Sequence, residues 1–453
     1  MKTTAYLLAV LLFSTPAARA GGGITLGQAV DKALEASHGL KQAQAAREGA
    51  QTIGRQAGHM RLPALTYQSA FTNSDDPVYV FGALLRQKEF TAADFALDKL
   101  NSPSPRTNFS NSLQLQVPLY TGGKISDFSR LGEAAVSRAD AAAVYARQGT
   151  AMEAAQKYLM AAFKGQLAAI ASEAVSSTEK ELAVADRLRE KGLVLGSDYY
   201  AAQALLGSLK AAKTVFEQEA LASASGLNVL MGGSEVPQIP ALLGRHLYVL
   251  PPQEELERAM SGRGDVSAAD FAARAAKIAR DMESDSILPQ IGAFASLQTD
   301  TEAFSTNPMR RMVGVGMTVP FGDFARADRV AQKEAEHRQA LEGALHLRQT
   351  AAAQLAEYRR SYESAALALP LAEAARDDAA RSLELFRPMF RQGRQSVLEV
   401  ARAEYALMSA RAAVAEQVFK LHSYYAATLL ASGGLDDAAI AFISAAVSEG
   451  EGK

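Results

Sequence analysis

The 453-residue chain contains no cysteine and no tryptophan, and aromatic residues make up only 7 % of it. Without cysteine it forms no disulfide and offers no thiol for lipid attachment. Neither sign of charge dominates: 47 Lys and Arg stand against 49 Asp and Glu, a formal net charge of −2. That balance gives no electrostatic case for nucleic acid as a partner. Beyond the first twenty residues, no stretch approaches the ~18 consecutive apolar residues of a membrane-spanning helix. Entry into a membrane would therefore have to use strands. The chain has no nucleophile elbow and no phosphate loop; the "GGG" at Gly21 does not follow a strand. Its six histidines, His38, His59, His246, His337, His346 and His422, lie far apart without the spacing of a metal pair. Surface or packing roles are expected for them, with no catalysis, no metal and no cofactor.

Alanine supplies much of the 48 % hydrophobic content, which suits close helix packing better than a large globular core. The N-terminus reads as an export signal, with Lys2, an apolar run from Ala5 to Phe13, and Ala18-Arg19-Ala20 as the cleavage motif. Its removal takes away Lys2 and Arg19 and leaves a charge of −4.

A strand signal then stands out from the alanine-rich background. In "LQLQVPLY" the residues Leu113, Leu115, Val117 and Leu119 fall on one face and Gln114 and Gln116 on the other. The pattern returns as Val315, Met317, Val319 and Phe321, where Val319-Pro320 repeats Val117-Pro118. Upstream, "LPALTYQSAF" is matched by "LPQIGAFASL", so each half holds two strands. The extra sequence of the first half lies between its strands and contains Asp75, Asp76, Tyr79, Phe81 and Phe90. Those aromatics suit either an interfacial girdle or a lid over a barrel mouth.

The helical parts repeat as well. Asp198 follows Gly192 by six residues, Glu399 follows Gly393 by six, and each half closes on a glycine pair, Gly232-Gly233 and Gly433-Gly434. Met152, Ala155, Leu159, Ala162 and Leu355, Tyr358, Tyr362, Ala365, Leu369 run at coiled-coil spacing. A helix of about 65 residues is roughly 100 Å long. Pro370 is expected to bend or break the second one.

The resulting division is a signal peptide at 1–20, a first repeat at 21–228, a linker or equatorial segment at 229–262, a second repeat at 263–434 and a C-terminal tail at 435–453. The first repeat has strands at about 62–72 and 111–120, a long helix at about 125–191 and a return helix at about 197–228. The second has strands at about 288–298 and 312–321, a long helix at about 324–391 and a return helix at about 397–430. The fold class is mainly α with a small β part. Four strands do not close a barrel, so they form either a small private sheet or one pooled among several chains.

With "QVPLYTGGK", "TVPFGDF", the two glycine-to-acid turns and the closing "LMGG" and "ASGG" in place, the chain resembles the TolC-type outer-membrane efflux proteins. The resemblance runs from about Ile24 to Gly434. It implies a homotrimer with a twelve-strand barrel in outer-membrane lipid and a periplasmic α-helical tunnel. It also implies a periplasmic adaptor and an inner-membrane pump, proton-driven or ATP-driven, as partners. The chain would then be a passive exit duct for efflux. The alternatives are the duct of a type I protein secretion system and a soluble periplasmic coiled-coil scaffold.

The resemblance also places site residues. Asp198 and Glu399 match acids at the periplasmic entrance. Arg402 stands where the family often has a second acid, Phe390 where it has a tyrosine, and Gln395 where it has an arginine, so the usual closing bonds are not available. Gly192, Leu193, Val194 and Gly393 match the hairpin tips that adaptors grip. Leu113, Leu115, Val117, Leu119, Val315, Met317, Val319 and Phe321 are expected to face lipid.

Overall fold

The computed structural model describes residues 23–306 and 308–448; the expected export signal at 1–20 and the last residues of the C-terminal tail lie outside them. The first half runs α1 (Leu26–Ala36), α2 (His38–His59), β1 (Ala64–Ser74), α3 (Pro77–Gln87), α4 (Leu97–Asn101), β2 (Arg106–Tyr120), α5 (Lys124–Glu190) and α6 (Gly196–Leu230). The second runs α7 (Gln253–Met260), α8 (Gly264–Ser284), β3 (Gln290–Thr301), β4 (Met309–Thr318), α9 (Arg326–Arg391), α10 (Val397–Ser432) and α11 (Asp437–Ser448). The same order of helices, two strands, long helix and return helix is thus performed twice.

At 67 and 66 residues, α5 and α9 are each about 100 Å long. The expected seam holds them. Met152, Ala155, Leu159 and Ala162 on α5 are buried, as are Leu355, Tyr362, Ala365 and Leu369 on α9. Small alanines at these positions let the helix axes approach closely. Pro370 does not break α9, which continues to Arg391 with Pro370 exposed on its outer side. Its missing N–H removes one helical hydrogen bond, which long flanking turns and a buried opposite face offset.

The four strands form one antiparallel sheet in the order β1-β2-β3-β4. Residues directly opposite in an antiparallel pair share a face. Leu65 pairs with Leu115, Leu115 with Ala295, and Ala295 with Val313; Val117 pairs with Ala293 and Ala293 with Val315. One face is therefore apolar across all four strands. Gln114, opposite Thr66 and Ser296, and Ser110, opposite Ala70 and Asp300, define a mostly polar reverse face. β4 ends at Thr318, so Val319 and Phe321 lie beyond the strand. The sequence alternation runs on past the ladder, which stops short of Pro320 because that residue has no N–H to extend it.

The passage from strand to long helix turns on Gly122 and Gly123, with φ of +60° and +83°. A Cβ on Gly122 would meet the Leu288 Cβ at 2.8 Å, so this corner admits only glycine.

The main core lies midway, where α1, α5, α6, α9, α10, α11 and residues 243–248 meet around Leu159, Leu227, Leu369, Leu421 and Ile443. Tyr248 stacks on Tyr425 at 3.8 Å between ring centroids. His422, fully buried, sets Nδ1 2.5 Å from the Tyr248 hydroxyl and Nε2 2.8 Å from the Gly244 carbonyl. Burial pushes its pKa down to about 4, with His246 adding to the shift and the Gly244 bond opposing it. The imidazole is neutral: Nε2–H donates and Nδ1 accepts.

Candidate functional site: hairpin tips and a two-faced sheet

At their far ends the two hairpins turn alike. Gly192 and Gly393 adopt φ of +76° and +72°. In each tip the glycine N–H returns to the carbonyl three residues back, Arg189 or Phe390, at 2.9 Å. The next N–H, of Leu193 or Arg394, reaches the carbonyl five back at 2.9 or 2.8 Å. This is the left-handed helix stop that glycine allows, and it lifts the following side chains clear of the bundle. Leu193 is 70 % exposed, whereas Val194 packs against the tip core.

A cleft of about 590 Å³ separates the two tips. Its walls bring together Asp198, Phe390, Gln395, Gly393, Leu193 and Val194 from opposite hairpins. Phe390 is wholly buried and anchors an apolar cluster with Leu182, Leu383, Val397 and Val400. Glu399 and Arg402 stand apart from this cleft and pair with each other at 2.7 Å on the surface of α10. Arg402 thus neutralises within the chain the acid that the resemblance places at the entrance.

Sequence reading missed a ladder of cross-hairpin contacts just above the tips. Arg391 on α9 reaches Glu181 on α5 at 2.8 Å. One turn up, Arg387 reaches Ser177 on α5 at 2.5 Å and also binds Glu404 on α10. Arg411 on α10 meets Glu173 on α5 at 2.6 Å. Glu181 and Glu404 are 5 % and 4 % exposed. A buried acid is retained only with a partner, so these arginines tie one hairpin to the other. The signal was present: Glu181 and Glu404 fall among the buried seam residues Leu182, Ala185, Ala401 and Met408.

On the sheet, Leu65, Val313, Val315 and Met317 are all more than 60 % exposed, as are none of the buried seam residues of α5. Leu113 and Leu119 are also exposed, while Leu115 and Val117 are partly covered. This is a continuous apolar surface on a molecule in which no described helix is long and apolar enough to cross a membrane.

The fold is shared with solved outer-membrane channels. The chain superposes on CusC, a transmembrane-channel-forming protein, with a TM-score of 0.79 and 16 % identity over 90 % of this chain and 92 % of that one. The Campylobacter jejuni outer membrane channel CmeC gives 0.77 and 16 % over 93 % and 89 %. The Vibrio cholerae outer membrane protein VceC gives 0.76 and 19 % over 90 % and 96 %. Among curated proteins no match is found. Residues 256–423, within the second half of the chain, match the family described as "Outer membrane efflux protein". That match spans 168 of the 453 residues, and the likeness in fold to the solved channels spans 90–93 % of the chain.

Proposed function

We propose that this chain is the outer-membrane channel of an efflux system. It acts as a passive exit duct fed by an inner-membrane pump through a periplasmic adaptor. The observation that carries the reading is the sheet. It has one apolar face, one polar face and two free edges, and it is mounted on helical hairpins too long for a globular protein. A free strand edge is not tolerated in lipid, so three chains pool twelve strands into a closed barrel. The apolar face then meets lipid and the polar face lines water. The hairpins extend the duct across the periplasm.

On this reading residues 1–20 direct export and are removed, and no lipid anchor is needed. The tips at Gly192, Leu193, Val194 and Gly393 meet the adaptor, and Asp198, Phe390 and Gln395 line the cleft at the entrance. The Arg387 and Arg391 contacts hold the hairpins together there. Reconstitution into planar bilayers tests the reading: discrete ion-conducting events are expected from the wild-type protein and fewer from Leu115→Asp. Silence from well-inserted wild-type protein would overturn it.

A further inference from the structure

The connection between β1 and β2 is far longer than the one between β3 and β4, and it contains α3. Asp76 caps α3, its carboxylate accepting from the Tyr79 N–H at 2.7 Å, and Pro77 opens its first turn. The loop's aromatics pack on one another rather than across the apolar face of the sheet. Phe90 packs edge-on against Phe81 and Phe95, each at 5.0 Å, inside the loop itself. The pair on the apolar face near the outer end is instead Phe71 and Phe109, 4.8 Å apart.

What matters is the face on which α3 sits. Gln87 at its C-terminus donates to the Asn108 side chain at 3.0 Å and to the Thr107 carbonyl at 2.9 Å. Asn108 donates to Asp300 at 2.8 Å, and Arg310 binds the other Asp300 oxygen. Asn108, Asp300 and Arg310 alternate in register with Gln114 and Gln298, so all belong to the polar face. Gln87, Asn108 and Asp300 are 4 %, 3 % and 0 % exposed. Three polar side chains buried and hydrogen-bonded where the helix meets the wall are a built seat, since a buried polar group is retained only with a partner.

The helix also has two sides. Val80, Ala83 and Gln87 are buried against the sheet, whereas Val78 and Leu85, one heptad apart on the opposite side, are 81 % and 50 % exposed. An apolar strip turned away from the wall of a water-filled duct needs a partner, and the occupants the symmetry supplies are the same helix from the other two copies. Twelve strands about 4.8 Å apart and tilted about 40° enclose a ring roughly 24 Å across. A helix about 10 Å thick, seated on that wall at its outer rim, reaches close to the axis, where three copies meet.

We propose that α3 is a lumenal lid at the outer mouth, seated on the barrel wall through Gln87, Asn108, Asp300 and Arg310 and closed by contact among three copies along Val78 and Leu85. The inference rests on the trimeric-barrel reading above.

The cysteine-free chain makes the test direct. Gln114→Cys places a thiol on the polar face about 20 Å inward of the lid seat, and Leu115→Cys places one on the apolar face. Each is made with the intact loop, with residues 77–104 replaced by a short Gly-Asn turn, and with Gln87→Ala. Intact cells are then treated with a membrane-impermeant maleimide-polyethylene glycol. A lid open about a tenth of the time slows labelling of the Gln114→Cys thiol about tenfold relative to the shortened loop. Gln87→Ala, which keeps the loop but loosens its seat, is expected between the two. Equal rates with all three loops would overturn the lid. Labelling of Leu115→Cys with Gln114→Cys unreactive would instead overturn the in/out reading of the barrel, a separate failure.

Discussion

The return helices α6 and α10 hold corresponding places in the two repeats, yet their surroundings differ sharply. α10 buries sixteen residues, packed between α9 and α5, whereas α6 buries four: Ala202, Leu209, Ala224 and Leu227. Tyr200, Val215, Leu221 and Val229 of α6 stay more than half exposed. Leu221 is the counterpart of fully buried His422. Repetition sets the plan of the fold, while the departures from it mark where the chain is knitted together and where it leaves apolar surface bare. α6 presents exposed apolar surface, whereas α10 buries Glu404 and His422 in polar contacts. The proposed trimer would account for that asymmetry, because surface left bare in one chain would be covered by the next.

The largest expected effect separates the two faces of the sheet. Leu115→Asp should impair assembly in the outer membrane, since a charge on a lipid-facing strand costs ~2–4 kcal/mol for Lys or Arg at the midplane and somewhat less for Asp. Gln116→Asp, one residue on, should assemble almost normally. Heat-resistant oligomer on a gel reads both variants, and equal behaviour would mean that the register is inverted.

A pH titration compares the knitted second repeat with the open first. His422 has its pKa pushed down to about 4 from an ordinary 6.5. The unfolded chain therefore takes up the proton first, and the contribution of the neutral ring is complete above about pH 6.5. It is lost progressively as pH falls toward 4, by up to about 3 kcal/mol. Melting temperature followed from pH 8 to pH 4 should drop across that window. His422→Asn should start lower and lack that component of the drop. An identical slope in both proteins would remove His422 from the account.

Near the tips, Arg391→Ala leaves buried Glu181 without its cation. Because the Arg391 side chain is 62 % exposed, the full cost of breaking a buried pair is discounted to about 1–2 kcal/mol. The expected signature is faster protease cleavage at the tips with the melting temperature little changed. Unaltered cleavage would make the ladder ornamental.

The smallest effect on stability belongs to the exposed Glu399–Arg402 pair, at most ~1 kcal/mol. Its electrical effect is expected to be larger than its mechanical one. Arg402→Asp should raise cation selectivity, and Glu399→Ala should lower it. Unchanged reversal potentials in both would return the pair to ordinary solvated helix charges.

Much of this architecture was legible in the sequence because it rests on period and punctuation. The alternation from Leu113 to Val117, the 3-4 seams of α5 and α9 and the tip glycines each demand one local conformation. Three things were not legible. Val319 and Phe321 continued an alternation that the ladder had already left. Arg387 and Arg391 look like any solvated helix charges until the partner helix is in place, because Glu181 and Glu404 come from other helices. The helix α3 was not read within the long first loop, and no periodicity within a loop says on which face of a distant sheet a helix will rest. That depended on Asp300 and Arg310, contributed by the other repeat.

The claim under all of this is that one chain cannot close its own sheet. The direct measurement is the protein mass of the particle extracted from membranes, by native mass spectrometry in detergent. The account predicts three copies of the chain and precipitation when detergent is removed. A monodisperse single copy, stable in plain buffer, would contradict it.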